Sequence, residues 1–378
     1  MFTENRKIMK KIKIVHIVDS LGIAGLDQVV IRLANSVDKD KFEVFVCALK
    51  SFRKDAVNLL SSEVHFKCLS SNSRFITIIR LLRFLQNNKI NIVHSHNWSV
   101  LPSVFIARVI SLKDIHFIHC EHGMDVGFSN FSFRRKCLSI FLYPRIDKLV
   151  CVSENLKDFF CKKFNVSNLV VIENGVDESF FLPEDKLDAK KRNGFPLNHV
   201  IIGTVAVPRP VKRIDFIIDL LKELRDLNQN VFFVHVGARK DSPAVKNLSR
   251  KASELDVLDR VLFLGVRHDI NKILPGFDVY INTSLFEGTS CSVLEAMSVG
   301  LPIVASNVGG NSVLVNHSVN GLLFDTFKKN DALIMVSDLI QDEKKLISMG
   351  NKSRNIIIKK YSLKKITKKY EELYHEFF

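Results

Sequence analysis

The sequence has little that could cross-link it, anchor it or thread it through a membrane. Its seven cysteines are odd in number and include no Cys-x-x-Cys pair, which argues for reduced thiols and against a disulfide framework or a zinc cluster. No apolar run approaches the ~20 residues a transmembrane helix needs. The opening MFTENRKIMKK lacks the apolar centre of a secretory leader, so a cytosol-facing protein is expected. No short repeat is visible, which excludes a solenoid. Trp (1) and Tyr (5) are scarce beside Phe (29), and Asp+Glu (40) fall well short of Lys+Arg (55).

What is present describes a folded enzyme-sized chain. A length of 378 residues with 47% hydrophobic and 25% charged residues suits two globular domains and excludes disorder. The net charge of +15 admits three kinds of partner: nucleic acid, an anionic membrane surface or a polyanionic small molecule. Phe beside basic residues suits lipid contact at least as well as base stacking, and charge alone does not choose.

Short β-branched runs alternate with helical spacing. KIKIVHIV (11–18), FEVFVCAL (42–49), NIVHSH (91–96), IHFIHCEH (115–122) and KLVCVS (148–153) read as strands, with a long helix predicted over 73–88. The pattern restarts after a polar stretch near 175–198, with HVIIGTVAV (199–207), VFFVHVG (231–237), RVLFLG (260–265), DVYINTS (278–284), PIVAS (302–306) and GLLF (321–324). Such alternation predicts two α/β domains, each a parallel sheet covered by helices. Ligands of open parallel sheets bind at the carboxyl ends of the strands, so two sheets facing each other would hold a site in the cleft between them.

Four segments could carry chemistry. The turn Gly22-Ile23-Ala24-Gly25 lies between the first strand and its helix, where a phosphate can approach backbone N–H groups. It is not G-x-G-x-x-G, which disfavours NAD, and an ordinary turn explains it equally well. In VAVPRPVKR (205–213), Lys212 precedes a helical apolar pattern and so stands where dipole and side chain both favour an anion. Prolines on either side stiffen the loop presenting Arg209. Alone, this segment reads as a solvated basic turn. The most informative stretch is Phe286-Glu287-Gly288-Thr289-Ser290-Cys291-Ser292-Val293-Leu294-Glu295. It sets Glu287 at a strand end and Glu295 in the first turn of a helix, with small residues between them that leave N–H groups for a ligand. A carboxylate suits vicinal hydroxyls of sugar or ribose, although Ser292-x-x-Glu295 also has capping-box spacing. Finally, His94-Ser-His96 and His119-Cys-Glu-His122 end predicted strands and would project toward the cleft. No carboxylate set accompanies them, so no metal site is expected.

Together these segments resemble the retaining glycosyltransferases of family 4, which have the GT-B fold. The matching stretches are VHIVDSLGIAGLDQVVIRLA, EHGMD, VIENGVDESFF, GTVAVPRPVKRIDFII, LFLGVRHDI and INTSLFEGTSCSVLEAMSVGLPIVASNVGG…NGLLF. The resemblance implies two Rossmann-like parallel-sheet domains facing across a cleft: residues 1–176 on the acceptor side and 177–361 as linker and nucleotide-sugar domain. The helix of 362–378 would pack back on the first. By position, Lys212 would hold the donor diphosphate and Glu295 the ribose. Glu287 and the amides of Gly288, Thr289, Ser290 and Cys291 would meet the donor sugar. Val266 and Arg267 would flank the base, Gly25 would approach the phosphate, and His122 would lie near sugar and acceptor.

Three positions depart from the family pattern. Val207 stands where the family usually has Arg, with Arg209 nearby as the expected replacement. Ala24-Gly25-Leu26-Asp27 replaces Gly-Gly-x-Glu, and Gly309-Gly310 is followed by Asn311-Ser-Val without the Glu often found there. The implied activity is metal-independent, cofactor-free retaining transfer from a nucleotide-diphosphate sugar to a hydroxyl of a glycan or lipid-linked acceptor, in surface polysaccharide assembly. The alternatives are a sugar-nucleotide epimerase of the same fold, a non-catalytic membrane-bound relative, and a nucleic-acid binder. The last is disfavoured by scattered basic residues and the lack of a recognised module. Phe128, Phe131 and Phe133 before Arg134, Arg135 and Lys136, with the helix over 74–88 (Arg74, Arg80 and Arg83 beside Phe75, Ile79, Leu82 and Phe84), suggest peripheral binding to an anionic inner-membrane face.

Overall fold

The computed structural model describes residues 11–111, 114–123 and 133–378. The chain divides into two compact units. The first takes the described residues up to Glu173 together with Leu363–Phe378, and the second takes Asn174–Ser362.

The first unit is built on a 7-stranded parallel sheet: β1 (Ile12–Leu21), β2 (Phe42–Phe52), β3 (Val64–Cys68), β4 (Ile92–His96), β5 (His116–Glu121), β6 (Lys148–Cys151) and β7 (Leu169–Val171), in the order β3-β2-β1-β4-β5-β6-β7. β4 is buried along its whole length, as expected where helices cover both faces of a parallel sheet. The edge strand β3 was not expected. Its VHFKC alternates buried with exposed side chains, so it lacks the continuous apolar run that marks the inner strands. The helix Leu363–His375 covers one face of this sheet. Ser36 and Thr367 share a 2.6 Å hydrogen bond, and Tyr374 is wholly buried.

The second unit carries a 6-stranded parallel sheet: β8 (Val200–Val205), β9 (Val231–Val236), β10 (Val261–Gly265), β11 (Val279–Asn282), β12 (Ile303–Ser306) and β13 (Gly321–Phe324), in the order β10-β9-β8-β11-β12-β13. Alternation sends Phe233, Ile281 and Val304 into one apolar layer with Ile217, Leu221 and Leu224 of the helix Ile214–Asp226. Their neighbours Val234, Tyr280 and Ile303 enter the opposite layer with Leu294 and Met297. Burial on both faces is why each strand reads as an unbroken apolar run. In both sheets the order reverses beside the first strand, between β1 and β4 and between β8 and β11, and ligands of such sheets bind at these reversal points. Among the described residues no helix is long and apolar enough to cross a membrane.

Candidate active site

In the second unit the loop after β8 is tied to the segment after β11. A short 3-10 turn, Pro210–Lys212, ends at Arg213 in the left-handed region (φ 45°), where the helix Ile214–Asp226 starts. Thr283 Oγ1 donates to the carbonyls of Lys212 and Arg213, both at 2.9 Å, and Leu285 N donates to Val211 O at 2.8 Å. These bonds place Lys212 beside Glu287, with Nζ 2.5 Å from Oε1. The same oxygen accepts from Ser284 Oγ (2.8 Å) and Asn282 Nδ2 (3.1 Å). Glu287 is buried while Lys212 keeps partial exposure. The carboxylate is thus held through one oxygen, and Oε2 takes none of these bonds.

The turn that carries Glu287 is buttressed from β12. Gly310 N donates to Glu287 O at 3.0 Å, and a Cβ on Gly310 would fall 2.0 Å from Gly288 O. Gly309 has φ +49°, and a Cβ there would fall 2.0 Å from Glu287 O. Side chains are excluded at both positions by the closeness of the two backbones. Asn311, at the departure from the family pattern, turns inward. It is fully buried, and its Nδ2 donates to Asn282 Oδ1 (3.2 Å) and Ser306 O (3.1 Å). It therefore steadies Asn282, which in turn holds Glu287. Asn282, Ser284 and Asn311 were missed in the sequence, where each is an ordinary small polar residue beside a strand end.

The helix Cys291–Ser298 starts at Ser290, whose side chain caps nothing. Its first N–H groups therefore lack a capping side chain and lie just after Gly288 and Thr289. Glu295 is the fifth residue of this helix and buried, so it sits in the second turn rather than the first. The Ser292-x-x-Glu295 capping box is not formed, because the helix begins one residue before Ser292. Arg209 is exposed at the head of the 3-10 turn and forms no ion pair among the described residues.

Val266 and Arg267 line a different feature, an open cavity of about 470 Å³ with Phe180, Asp269 and Lys272. Arg267 is held in a fork by Asp269, at 2.8 and 2.5 Å, and that hydrogen-bonded partner raises its pKa. Lys212, Glu287 and Glu295 do not line this cavity. The expected donor-binding residues therefore fall into two groups within the unit.

In the first unit Gly25 opens the helix Gly25–Ser36, and among the described residues no atom lies within 4 Å of the position of a Cβ. The turn before it is closed by Asp27, whose Oδ2 accepts from Ala24 N at 3.0 Å. Burial raises the pKa of Asp27, opposed by the Gly22 and Ala24 amides. His122 follows β5 and is half-buried. The other strand-end histidines, expected to project toward a cleft, are buried: His94, His96 and His119. The sheet is covered on both faces, and alternation sends His94 and His96 to one and His119 to the other. His119 accepts or donates between Ser95 Oγ (2.7 Å) and Glu121 Oε1 (3.0 Å), and Tyr143 OH also donates to Glu121. With Ser95, His119 and Glu121 all buried, this row joins core strands.

The basic apolar surface is only partly as expected. Phe75 and Phe133 are exposed, 70% and 81%, near exposed Arg74, Arg80, Arg134 and Lys136. Ile140 and Phe141 on the helix Phe133–Leu142 are exposed too, with Arg145 stacked 3.9 Å over Phe141. Ile79, Leu82 and Phe84, by contrast, are partly buried, and Phe84 meets Phe45 edge-on. Phe128 and Phe131 lie outside the described residues.

Two family descriptions match the chain: "Glycosyltransferase Family 4" over residues 23–180 and "Glycosyl transferases group 1" over residues 185–356. An Escherichia coli UDP-Gal:alpha-D-GlcNAc-diphosphoundecaprenol alpha-1,3-galactosyltransferase is 27% identical, covering 96% of this chain and 97% of that protein. The N-acetyl-alpha-D-glucosaminyl L-malate synthase of Bacillus anthracis is 22% identical over 79% of this chain and 77% of its own length. Among solved structures, Anabaena HepE in complex with UDP and glucose superimposes with a TM-score of 0.84 at 20% identity, covering 97% of this chain and 100% of that one. WaaG, a glycosyltransferase involved in lipopolysaccharide biosynthesis, gives 0.76 at 15% identity, covering 95% and 99%.

Proposed function

The chain belongs to the GT-B glycosyltransferases of group 1 and family 4, and we propose that it moves a sugar from a UDP-sugar to a hydroxyl of a lipid-diphosphate-linked glycan, with retention at the anomeric carbon. The observation that carries this is Lys212 held against the buried Glu287 beside the uncapped start of the helix Cys291–Ser298. A cation and the N-terminal end of a helix together suit a diphosphate whose charge grows as the glycosidic bond breaks. The supporting relatives are named for UDP-Gal and for UDP complexes. UDP-galactose is an α-linked donor, so the α-product of the Escherichia coli enzyme corresponds to retention.

In this reading the anomeric C–O bond of the donor breaks and its electrons pass to the diphosphate, which Lys212 and the helix N–H groups stabilise. The acceptor oxygen forms the new bond on the same face, and its proton passes to a donor phosphate oxygen. Glu287 orients the sugar through hydroxyl hydrogen bonds, Glu295 holds the ribose, and His122 donates to a sugar oxygen. Val266 and Arg267 border the base site with Phe180. Gly25, with no side chain of its own, admits phosphate to the first turn. Arg209 adds exposed positive charge where the usual Arg is Val207. No resident metal or cofactor enters the step. Phe75, Phe133 and the cations around them hold the protein on an anionic cytoplasmic leaflet, where each well-placed cation adds about 1 kcal/mol.

The test is a nucleotide-sugar panel with undecaprenyl-diphosphate-linked GlcNAc as acceptor, with mass detection and NMR assignment of the new linkage, in the presence and absence of EDTA. A mass increase of one hexose with an α-linkage, unaffected by EDTA, supports the proposal. Conversion of the donor sugar without any acceptor would make the protein an epimerase. Failure with every donor and acceptor would favour a non-catalytic relative. Flotation on vesicles with and without anionic lipid tests the membrane reading, and equal recovery on both, unchanged by Arg134→Ser/Lys136→Ser, would reject it.

A further inference from the structure

Asn174 opens the second unit and lies in VIENGVDESFF, one of the stretches that carry the family resemblance. It is 4% exposed, and its side chain lies against the segment between Glu287 and the helix Cys291–Ser298. Nδ2 donates to Thr289 O at 2.9 Å and meets Cys291 Sγ at 3.9 Å. The two contacts flank Ser290 in sequence. A carbonyl oxygen only accepts, so the nitrogen of the carboxamide must face Thr289, which fixes the orientation of the group. Oδ1 is then left buried, with no hydrogen-bond partner among the described residues. Buried polar atoms are nearly always paired. Here one acceptor stays unsatisfied while the N–H groups of Asn174 serve the turn.

That turn is held by its carbonyls. Glu287 O accepts from Gly310 N at 3.0 Å, Thr289 O accepts from Asn174, and Ser290 O accepts from Leu294 N at 3.1 Å as the helix begins. In a planar trans peptide the N–H points opposite to the C=O. Holding Glu287 O therefore turns Gly288 N–H away from Gly310, and holding Thr289 O turns Ser290 N–H away from Asn174. Among the described residues neither Gly288 N nor Ser290 N donates to an acceptor. Ser290 is the N-cap residue, so its N–H lies at the positive end of the helix dipole. With Ser290 only 8% exposed, that N–H calls for an acceptor which the described residues do not supply.

We propose that Asn174 is a positioning residue for the donor site: by holding Thr289 O it aims Ser290 N–H at a phosphate oxygen of the bound nucleoside diphosphate. This rests on the reading above that the diphosphate binds at Lys212 and the start of this helix. Without the N–H groups of Asn174 the Thr289–Ser290 peptide can rotate, and its amide then meets the diphosphate only part of the time. The rival role is plain packing, in which Asn174 ties its own segment to the helix start. Losing that tie would lower stability and leave the diphosphate contact as it was.

The experiment is a 1H–15N correlation, filtered through the preceding carbonyl, on the full chain labelled with 15N-serine and 13C-threonine. Thr-Ser occurs twice, at Ser284 and Ser290, so two amide signals are selected, and Ser284→Ala assigns them. Saturating UDP should move the Ser290 signal downfield as its N–H bonds to phosphate. In Asn174→Ala, and in Asn174→Leu, which keeps the size and adds no charge, that movement should shrink. The Kd for UDP by isothermal titration should rise about tenfold in both, the worth of a hydrogen bond to a charged group. A wild-type Ser290 signal that stays in place while UDP binds overturns the proposal. So does a folded Asn174 variant with unchanged UDP affinity and an unchanged Ser290 response, whatever its melting temperature. The wild-type titration can refute the proposal even where neither variant folds. It needs no transfer, so UDP bound with Ser290 unmoved sinks only this inference. A Ser290 signal that moves as expected, in a protein without transfer, sinks only the functional reading, and absence of UDP binding removes both.

Discussion

Lys212→Ala separates a catalytic cation from a structural one. In the ligand-free protein Lys212 pairs with Glu287, whose Oε1 keeps two neutral donors, Asn282 and Ser284, when the lysine is removed. Breaking a buried pair costs 3–5 kcal/mol and an exposed one at most about 1. With Lys212 partly exposed and Glu287 still twice hydrogen-bonded, about 1–2 kcal/mol of stability is the expected loss. Transition-state stabilisation is a larger matter: a lone electrostatic donor to a developing charge is worth about 3 kcal/mol, roughly a hundredfold in rate. The double variant Lys212→Ala/Glu287→Gln distinguishes the two effects, because it removes the unpaired carboxylate but supplies no cation. Urea denaturation should show much of the stability regained, while kcat/KM for the UDP-sugar stays at or below the level of Lys212→Ala. Wild-type turnover in Lys212→Ala, or recovery of transfer along with stability in the double variant, would refute the reasoning.

Three further outcomes are expected. Glu295→Gln should weaken UDP binding about tenfold or more by isothermal titration, the worth of a charge-assisted hydrogen bond, whereas Glu287→Gln should act mainly on turnover. Gly310→Ala should displace the Glu287–Gly288 turn, because the new Cβ would fall 2.0 Å from Gly288 O; a lowered melting temperature with impaired donor binding checks it, and unchanged values on both counts would contradict the close packing. Acidification should destabilise the fold. His16 and His235 have native pKa values lowered to about 3 and about 4 by burial, so between those values and 6.5 the unfolded chain binds protons that the native one does not, and stability is lost as pH falls through that window. Each contributes up to about 2 kcal/mol of loss by pH 5, so His235→Gln should lose less between pH 7 and pH 5 in thermal unfolding than the native chain.

The inner strands were legible because burial on two faces requires unbroken apolar runs. Edge strand β3 was not, since one side of it needs no apolar cover. The resemblance assigned Lys212 and Glu287 to different parts of one donor, and neither their ion pair nor what holds it could be read from the sequence. Asn282, Ser284 and Asn311 acquire meaning only when β11 and β12 lie side by side. The histidines were misjudged for a related reason. The strand ends were expected to point toward a cleft, but a helix far away in sequence covers the face that carries His94 and His96.

That distant helix has a consequence for how the chain is made. Residues Leu363–His375 belong to the unit built from residues before 174, so the whole second unit is synthesised between the two parts of the first. Domains usually fold in order as they leave the ribosome, but here the order is inverted. The second unit is continuous and can finish first, while the earlier sheet waits with the His94 and Cys120 face uncovered until Tyr370 and Tyr374 arrive. During that interval this face of the first unit's sheet lacks the helix that covers it in the finished fold.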